Sequence, residues 1–291
     1  MKSLSILVIS VLIAPHAFAT GWSEPVKLNS FINSGYGEWG TCVSADGQEI
    51  YFGSFRSGVM DIYMSTWDGD DWGPAEIVSP GNISTAAYDS DPYIDWDGTT
   101  LYFVTERDGT WDIWYSEHDG GWAVAEPIPG SVNTDDYEEF NLCITPDGQT
   151  MYFSSSRPGA PGGWNIWASE WTGTEWDEPS PLGSEINSGD GDYAPKLTPD
   201  GLFMYFTSGR DGTLDLYVAE RNGDSWGNVT KLGSPPNSDT FDFDPSVYVS
   251  GTSGALYFVS YREGPDEIWV SEFTGLRIEP TSLGYIKTSF K

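Results

Sequence analysis

Positive charge is scarce in this chain: 13 Lys and Arg stand against 44 Asp and Glu in 291 residues, for a net charge of −31. Nucleic acids and anionic membrane surfaces are held by basic patches, so neither is an expected partner. A large charge of one sign also keeps an exported chain soluble, and a monomer is expected. Histidine is scarcer still, with only His16 and His118. His16 falls in the leader described below, which leaves His118 in the turn "EHDGG". A hairpin tip is a poor place for the base of a Ser-His-Asp triad. With two cysteines, Cys42 and Cys143, the chain also lacks the ligands of a zinc site. Helical periodicity is missing from nearly the whole length.

The only long apolar run is in the first nineteen residues, "MKSLSILVISVLIAPHAFA". Lys2 is a positive start, Leu4–Ala14 an apolar stretch, and Ala17-Phe18-Ala19 a small-x-small cleavage site. This is a secretory leader pattern, too short to span a bilayer comfortably. The expected divisions are therefore a signal peptide at 1–19, one domain at 20–275 and a strand or tail at 276–291. The product is expected in the periplasm, secreted or at the cell surface.

What is present is an array. Trp22, Trp72, Trp122, Trp176 and Trp226 are spaced by 50, 50, 54 and 50 residues. After each comes an Asn (33, 82, 133, 187, 237), then an acid: Glu38, Asp89, Glu139, Asp192, Asp242. Next stand "SADG", "DWDG", "TPDG", "TPDG" and a looser "SGTSG", then an aromatic pair such as Tyr102-Phe103. Arg56, Arg107, Arg157, Arg210 and Arg262 follow, and each copy closes on "DIY", "DIW", "NIW", "DLY" or "EIW". Asp-Gly and Asn-Gly pairs between apolar runs mark hairpins, because Gly accepts the positive φ such turns need. Each copy reads as four short strands. Four meandering strands at a period near fifty mean a blade, and five copies an all-β, five-bladed β-propeller. The chain opens with a fourth-strand signature, "GWSEPVKL", and its fifth copy ends at strand three. The N-terminal strand is thus expected to complete the last blade in preference to "LRIEPTSLG" at 276–284.

The stretch "TPDGQTMYFSSSRPGAPGGWNIWASEW", followed by "W…PLGSEINS", resembles the PD40 repeat, the WD40-like propeller repeat of bacteria. The resemblance runs from Gly21 to about Gly275; copy five departs at its DG turn, and copy one lacks the Pro. It implies a propeller similar to those of TolB-like and tricorn-like proteins, found in periplasmic, secreted and outer-membrane-associated chains. It says little of activity, because propellers host many functions.

One arginine in every copy suits blade construction better than an asymmetric ligand site. Its planar fork matches a carboxylate on the first strand or on the third (Asp61, Asp112, Asp215, Glu267). The first-strand acids Glu38, Asp89, Glu139, Asp192 and Asp242 line the channel and are also binding candidates, for calcium or a ligand. No cofactor is otherwise expected. "DGDDWG" and "SGDGDYA" lack the spacing and closing Glu of a calcium loop. Cys42 and Cys143 occupy equivalent positions in blades one and three, too far apart to bridge, so two free buried thiols are expected. Function is expected where copies differ: Trp39, Asp135, Asp136, Tyr137, Pro161, Trp164, Phe241 and Phe243. These point to a non-catalytic module that binds or scaffolds a protein, peptide or glycan. The rival is a glycoside hydrolase or lyase working through two channel carboxylates about 5–9.5 Å apart.

Overall fold

The structure, a computed structural model, describes residues 21–264 and 266–274; the leader and the 276–291 tail lie outside the described residues. Five antiparallel sheets make a β-propeller, with no helix among the described residues. Blade one is built from Glu38–Val43, Glu49–Ser54, Asp61–Thr66 and Glu76–Ile77. Blade two is Asp89–Ile94, Thr100–Thr105, Asp112–Glu117 and Glu126–Pro127. Blade three is Glu139–Ile144, Thr150–Ser155, Asn165–Glu170 and Ser180–Pro181. Blade four is Asp192–Leu197, Phe203–Ser208, Asp215–Asn222 and Ser225–Lys231. Blade five is Asp242–Ser250, Ser253–Ser260 and Glu267–Thr274.

The chain start completes blade five. Gly21 pairs with Thr274 and Trp22 with Phe273, then Val26 with Val270 and Lys27 with Trp269. Lys27 also forms an ion pair with Glu267. The clasp covers an edge that would otherwise invite pairing with another chain.

Fourth strands are shorter than the sequence pattern predicts. In blades one to three they have two residues, and Trp72, Trp122 and Trp176 make isolated bridges to Trp67, His118 and Trp171, Trp176 with a second one to Gly130. Prolines such as Pro127 and Pro181 lack the N–H a longer ladder needs, which suits them to an edge. The second strands are the opposite case. Phe52, Phe103, Phe153, Phe206 and Phe258 are fully buried between neighbouring blades. Large rings fill the roughly 10 Å between stacked sheets.

One assignment shifts by two residues. Asn33, Asn133, Asn187 and Asn237 each bond both backbone groups of a third-strand residue, as Asn187 does with Ile166. In blade two that task falls to Ser84, which bonds both groups of Ile62, while Asn82 donates to the Trp122 carbonyl as Asn29 does to that of Trp72. Cys42 and Cys143 are buried and unbridged.

Candidate functional site at the channel mouth

Each first strand begins at one mouth of the channel, and its opening acid is fully buried. The arginines meet these acids and not the third-strand ones. Arg107 reaches Asp89 at 2.6 Å, Arg157 Glu139 at 2.9 Å, Arg210 Asp192 at 3.0 Å, Arg262 Asp242 at 2.8 Å and Arg56 Glu38 at 3.5 Å. Each arginine repeats three more contacts. Nε donates to the Ser or Thr two residues back, Nη2 to a backbone carbonyl of the incoming loop, and the guanidinium lies over two rings, for Arg107 those of Phe103 and Trp114. Each acid also accepts from a loop hydroxyl: Ser34, Thr85, Thr134, Ser188 or Ser238. Glu38 is the looser member, with Oε2 left without a hydrogen-bond partner. Burial pushes the Glu139 carboxyl up, against the lowering pull of Ser155 and Arg157. These five acids are thus buried and held by the protein itself.

Two residues further along, every first strand carries a β-bulge. The register slips between Trp39 and Cys42, and at the matching place in each blade. The bulged residues have positive φ: Gly40 56°, Asp91 48°, Asn141 43°, Ala194 55° and Asp244 50°. Unlike the acids above them, these five differ in chemistry, and Asn141, Asp91, Gly40 and Asp244 meet in turn. Asn141 donates to Asp91. A Cβ on Gly40 would lie 2.7 Å from the Asp91 Cα, so blade one has no side chain there. The Gly40 N–H faces the Asp244 carboxylate. Burial, and then the charge of Asp91, push Asp244 up to about 7, while Lys196 pulls it down; burial likewise raises Asp91. Lys196 is buried, donates to the Leu142 carbonyl at 2.8 Å and lies 5.1 Å from the Tyr93 ring centre. Lys196 also lines a cavity of ≈30 Å³ with Cys42, Tyr93 and Ser246, room for about one water.

Above the acids an arc of rings follows the mouth. Centroid separations are 6.2 Å for Trp39–Phe55, 6.0 Å for Phe55–Tyr88 and 5.9 Å for Tyr88–Trp111. Trp111–Phe140 at 5.1 Å and Phe140–Trp164 at 5.4 Å carry it into blade three. In blade five Tyr261 meets Phe241 at 5.6 Å and Phe243 at 5.7 Å. Trp39, Tyr88 and Phe241 are exposed; Phe55, Trp111, Phe140, Trp164 and Phe243 are half-buried. Tyr137 is exposed on the loop entering blade three, with Asp135 and Asp136. Trp39, Trp164 and Phe243 therefore share one end of the molecule. Phe55, Tyr88, Trp111, Phe140 and Tyr261 were missed by the sequence reading. Their signal is a partial column: Phe140 stands where Trp39, Tyr193 and Phe243 stand in their copies, Trp111 where Trp164 stands, and Tyr261 where Phe55 stands.

Among the described residues no group of three or more His, Cys, Asp or Glu is arranged to hold a metal. No helix among them is long and apolar enough to cross a membrane.

No protein-family model matches the sequence, and no curated protein matches it. Solved structures do resemble the fold. TolB from Acinetobacter baumannii superposes with a TM-score of 0.52 at 17% identity, over 82% of this chain and 55% of that one. The chain thus spans about half the length of that protein. An α-L-arabinofuranosidase from Lactobacillus brevis gives 0.57 at 12% identity over 88% and 98% of the two chains. A GH43 endo-arabinanase from Bacillus licheniformis gives 0.55 at 15% over 85% and 96%. At such identities the likeness is one of fold.

Proposed function

We propose that this chain is an exported, non-catalytic propeller of the PD40-like kind that binds a protein, peptide or glycan at the arginine-end mouth. The observation that carries this reading is the arc from Trp39 to Trp164, six rings in successive contact across three blades. The fold does not require a ring at any of these positions, since other copies put Glu106 where Phe55 stands, Ser90 where Trp39 and Phe140 stand, Gly191 where Tyr88 stands and Leu214 where Trp111 and Trp164 stand. Partly exposed rings beside hydrogen-bonding groups suit flat sugar faces and aromatic or apolar peptide side chains. The acids beneath are occupied by arginines, which leaves the rim as the contact surface.

The test is a peptide and glycan array probed with the chain, with and without Ca²⁺, then repeated with Trp39→Ala and Trp164→Ala. Both variants should keep the wild-type melting temperature and lose binding by about tenfold or more. Unchanged binding would place the site elsewhere. Export is checked separately: the secreted product should begin at Thr20.

A hydrolase is the second reading, and Asp91 and Asp244 favour it. They are first-strand carboxylates with no ion-pair partner among the described residues, and one is raised to about 7, as a general acid requires. Against it, they are only 6% and 8% exposed, and neither lines the cavities of ≈30 and ≈580 Å³ at the other end of the channel. Release of reducing sugar from arabinan or xylan, abolished by Asp91→Asn and by Asp244→Asn, would establish the enzyme.

A further inference from the structure

The turns joining first to second strands face the end of the propeller opposite the aromatic arc. In three of them a hydroxyl donates to the turn aspartate: Ser44 to Asp46 at 2.7 Å, Thr145 to Asp147 at 2.6 Å, Thr198 to Asp200 at 2.5 Å. Blade two breaks this pattern. Its "DWDG" puts Asp95 where the hydroxyl stands and Trp96 where Ala45, Pro146 and Pro199 stand. Asp95 accepts from the Thr99 and Thr100 N–H groups at 2.9 and 3.1 Å, and Asp97 from the Thr99 N–H at 3.0 Å. Asp95 and Asp97 also lie within hydrogen-bond reach of each other, and burial, with the charge of Asp97, pushes Asp95 up to about 6; the pair shares a proton below that pH and carries two adjacent negative charges above it. The Trp96 Nε1 donates to the Ile144 carbonyl at 2.7 Å, which fixes the indole against blade three.

Beside this turn lies a cleft of ≈580 Å³, walled mostly by blades two and three and reached by Asp46 of blade one, Pro199 of blade four and Val249 of blade five, within the range of small-molecule sites. Trp96, Tyr102 and Trp171 form its aromatic wall; Asp46, Asp95, Asp97 and Asp147 supply carboxylates, and no Lys or Arg lines it. Part of this lining is ordinary architecture. Asp97 and Asp147 cap their own turns, and Trp171 packs on Trp176 as Trp67 does on Trp72. Asp95 accepts from the N–H five residues on, as Ser44, Thr145 and Thr198 do in their turns, but it adds a negative charge that those hydroxyls lack, and Trp96 adds a ring where they have Ala or Pro.

We propose that this cleft binds an organic ammonium ion bearing apolar substituents. Aromatic faces attract such a cation through their quadrupole and accommodate its alkyl groups, while the uncompensated carboxylates favour positive charge. A phosphate or carboxylate ligand would meet only like charge.

The test is titration with benzyltrimethylammonium, read by tryptophan fluorescence and calorimetry, with benzyl alcohol as the neutral comparator. The cation should bind saturably in the millimolar range or tighter, and the alcohol about tenfold more weakly. Asp95→Thr with Trp96→Pro rebuilds the turn of blades three and four; it should melt no lower than wild type and lose about tenfold or more in cation affinity. Trp39→Ala, at the other mouth, should bind the cation as wild type does. Competition by phosphatidylcholine vesicles would identify the ammonium as a lipid headgroup, and its failure a dissolved cation. Equal binding of cation and alcohol, full affinity in the folded double variant, or no saturable binding at all would overturn the proposal.

Discussion

Asp89 and Asp91 stand two residues apart on one strand and belong to different layers of the channel. Asp89 is one of five acids, each with the same arginine, hydroxyl and carbonyl around it. Asp91 is one of five bulge residues that share a backbone conformation but not a side chain: a glycine, two aspartates, an asparagine and an alanine. The first layer is construction repeated five times. The second is where the blades have been allowed to diverge, and the same holds for the rings at one end and the "DWDG" turn at the other.

The largest test of this contrast is on the first layer. Arg107→Leu should destabilise the fold by about 3–5 kcal/mol in denaturant unfolding, because Asp89 is left charged and buried. The double change with Asp89→Leu should cost less than the single one, and Arg157→Leu should behave like Arg107→Leu. If one arginine proved silent for stability but essential for binding, the layer would not be uniform construction.

Gly40→Ala comes next, at about 1–3 kcal/mol, since the new Cβ would meet the Asp91 backbone at a positive φ. A loss this large at a second-layer position would come from blade spacing, and Asp91→Asn, which keeps the backbone, should cost less. The smallest effect is in pH dependence. Asp244 has a folded value of about 7, against the ordinary 3.8 when unfolded. The folded state therefore keeps a proton that the unfolded state releases, and stability rises as pH falls from about 7 towards 4. Asp244→Asn should flatten that part of the wild-type melting profile and raise the melting temperature at pH 8. An unchanged profile would mean that Asp244 is ionised throughout.

The blades could be read because their signals are local: Asp-Gly turns, consecutive aromatics and a tryptophan period all lie within one copy. The site could not, for three physical reasons. The bulges put Asp91, Asn141 and Ala194 at positive φ, which their residue types do not announce as glycine would. The aromatic arc joins rings from four different positions of the repeat across neighbouring blades, so partners such as Phe55 and Tyr88 share no sequence period. The choice between first- and third-strand acids as arginine partners depended on the side of the sheet each faces, and Asp112, which turned out to take its bond from Thr110, looked as suitable as Asp89. Two of the useful differences were nonetheless in plain view. "DWDG" stood out among its fellows, and Trp39 and Trp164 stand at positions where other copies put Ser90 and Leu214.

The clasp in blade five has a kinetic consequence. Its contacts join residues such as Ser23 and Ser271, separated by 248 positions, whereas hairpins within a blade close over short loops. Closing so long a loop carries the greatest entropic cost in the molecule, so blades should form first and ring closure last. Until that step each partly built ring has two open ends, and the protein passes from an extensible stack of sheets to a single cooperative unit only when Trp22 docks beside Phe273.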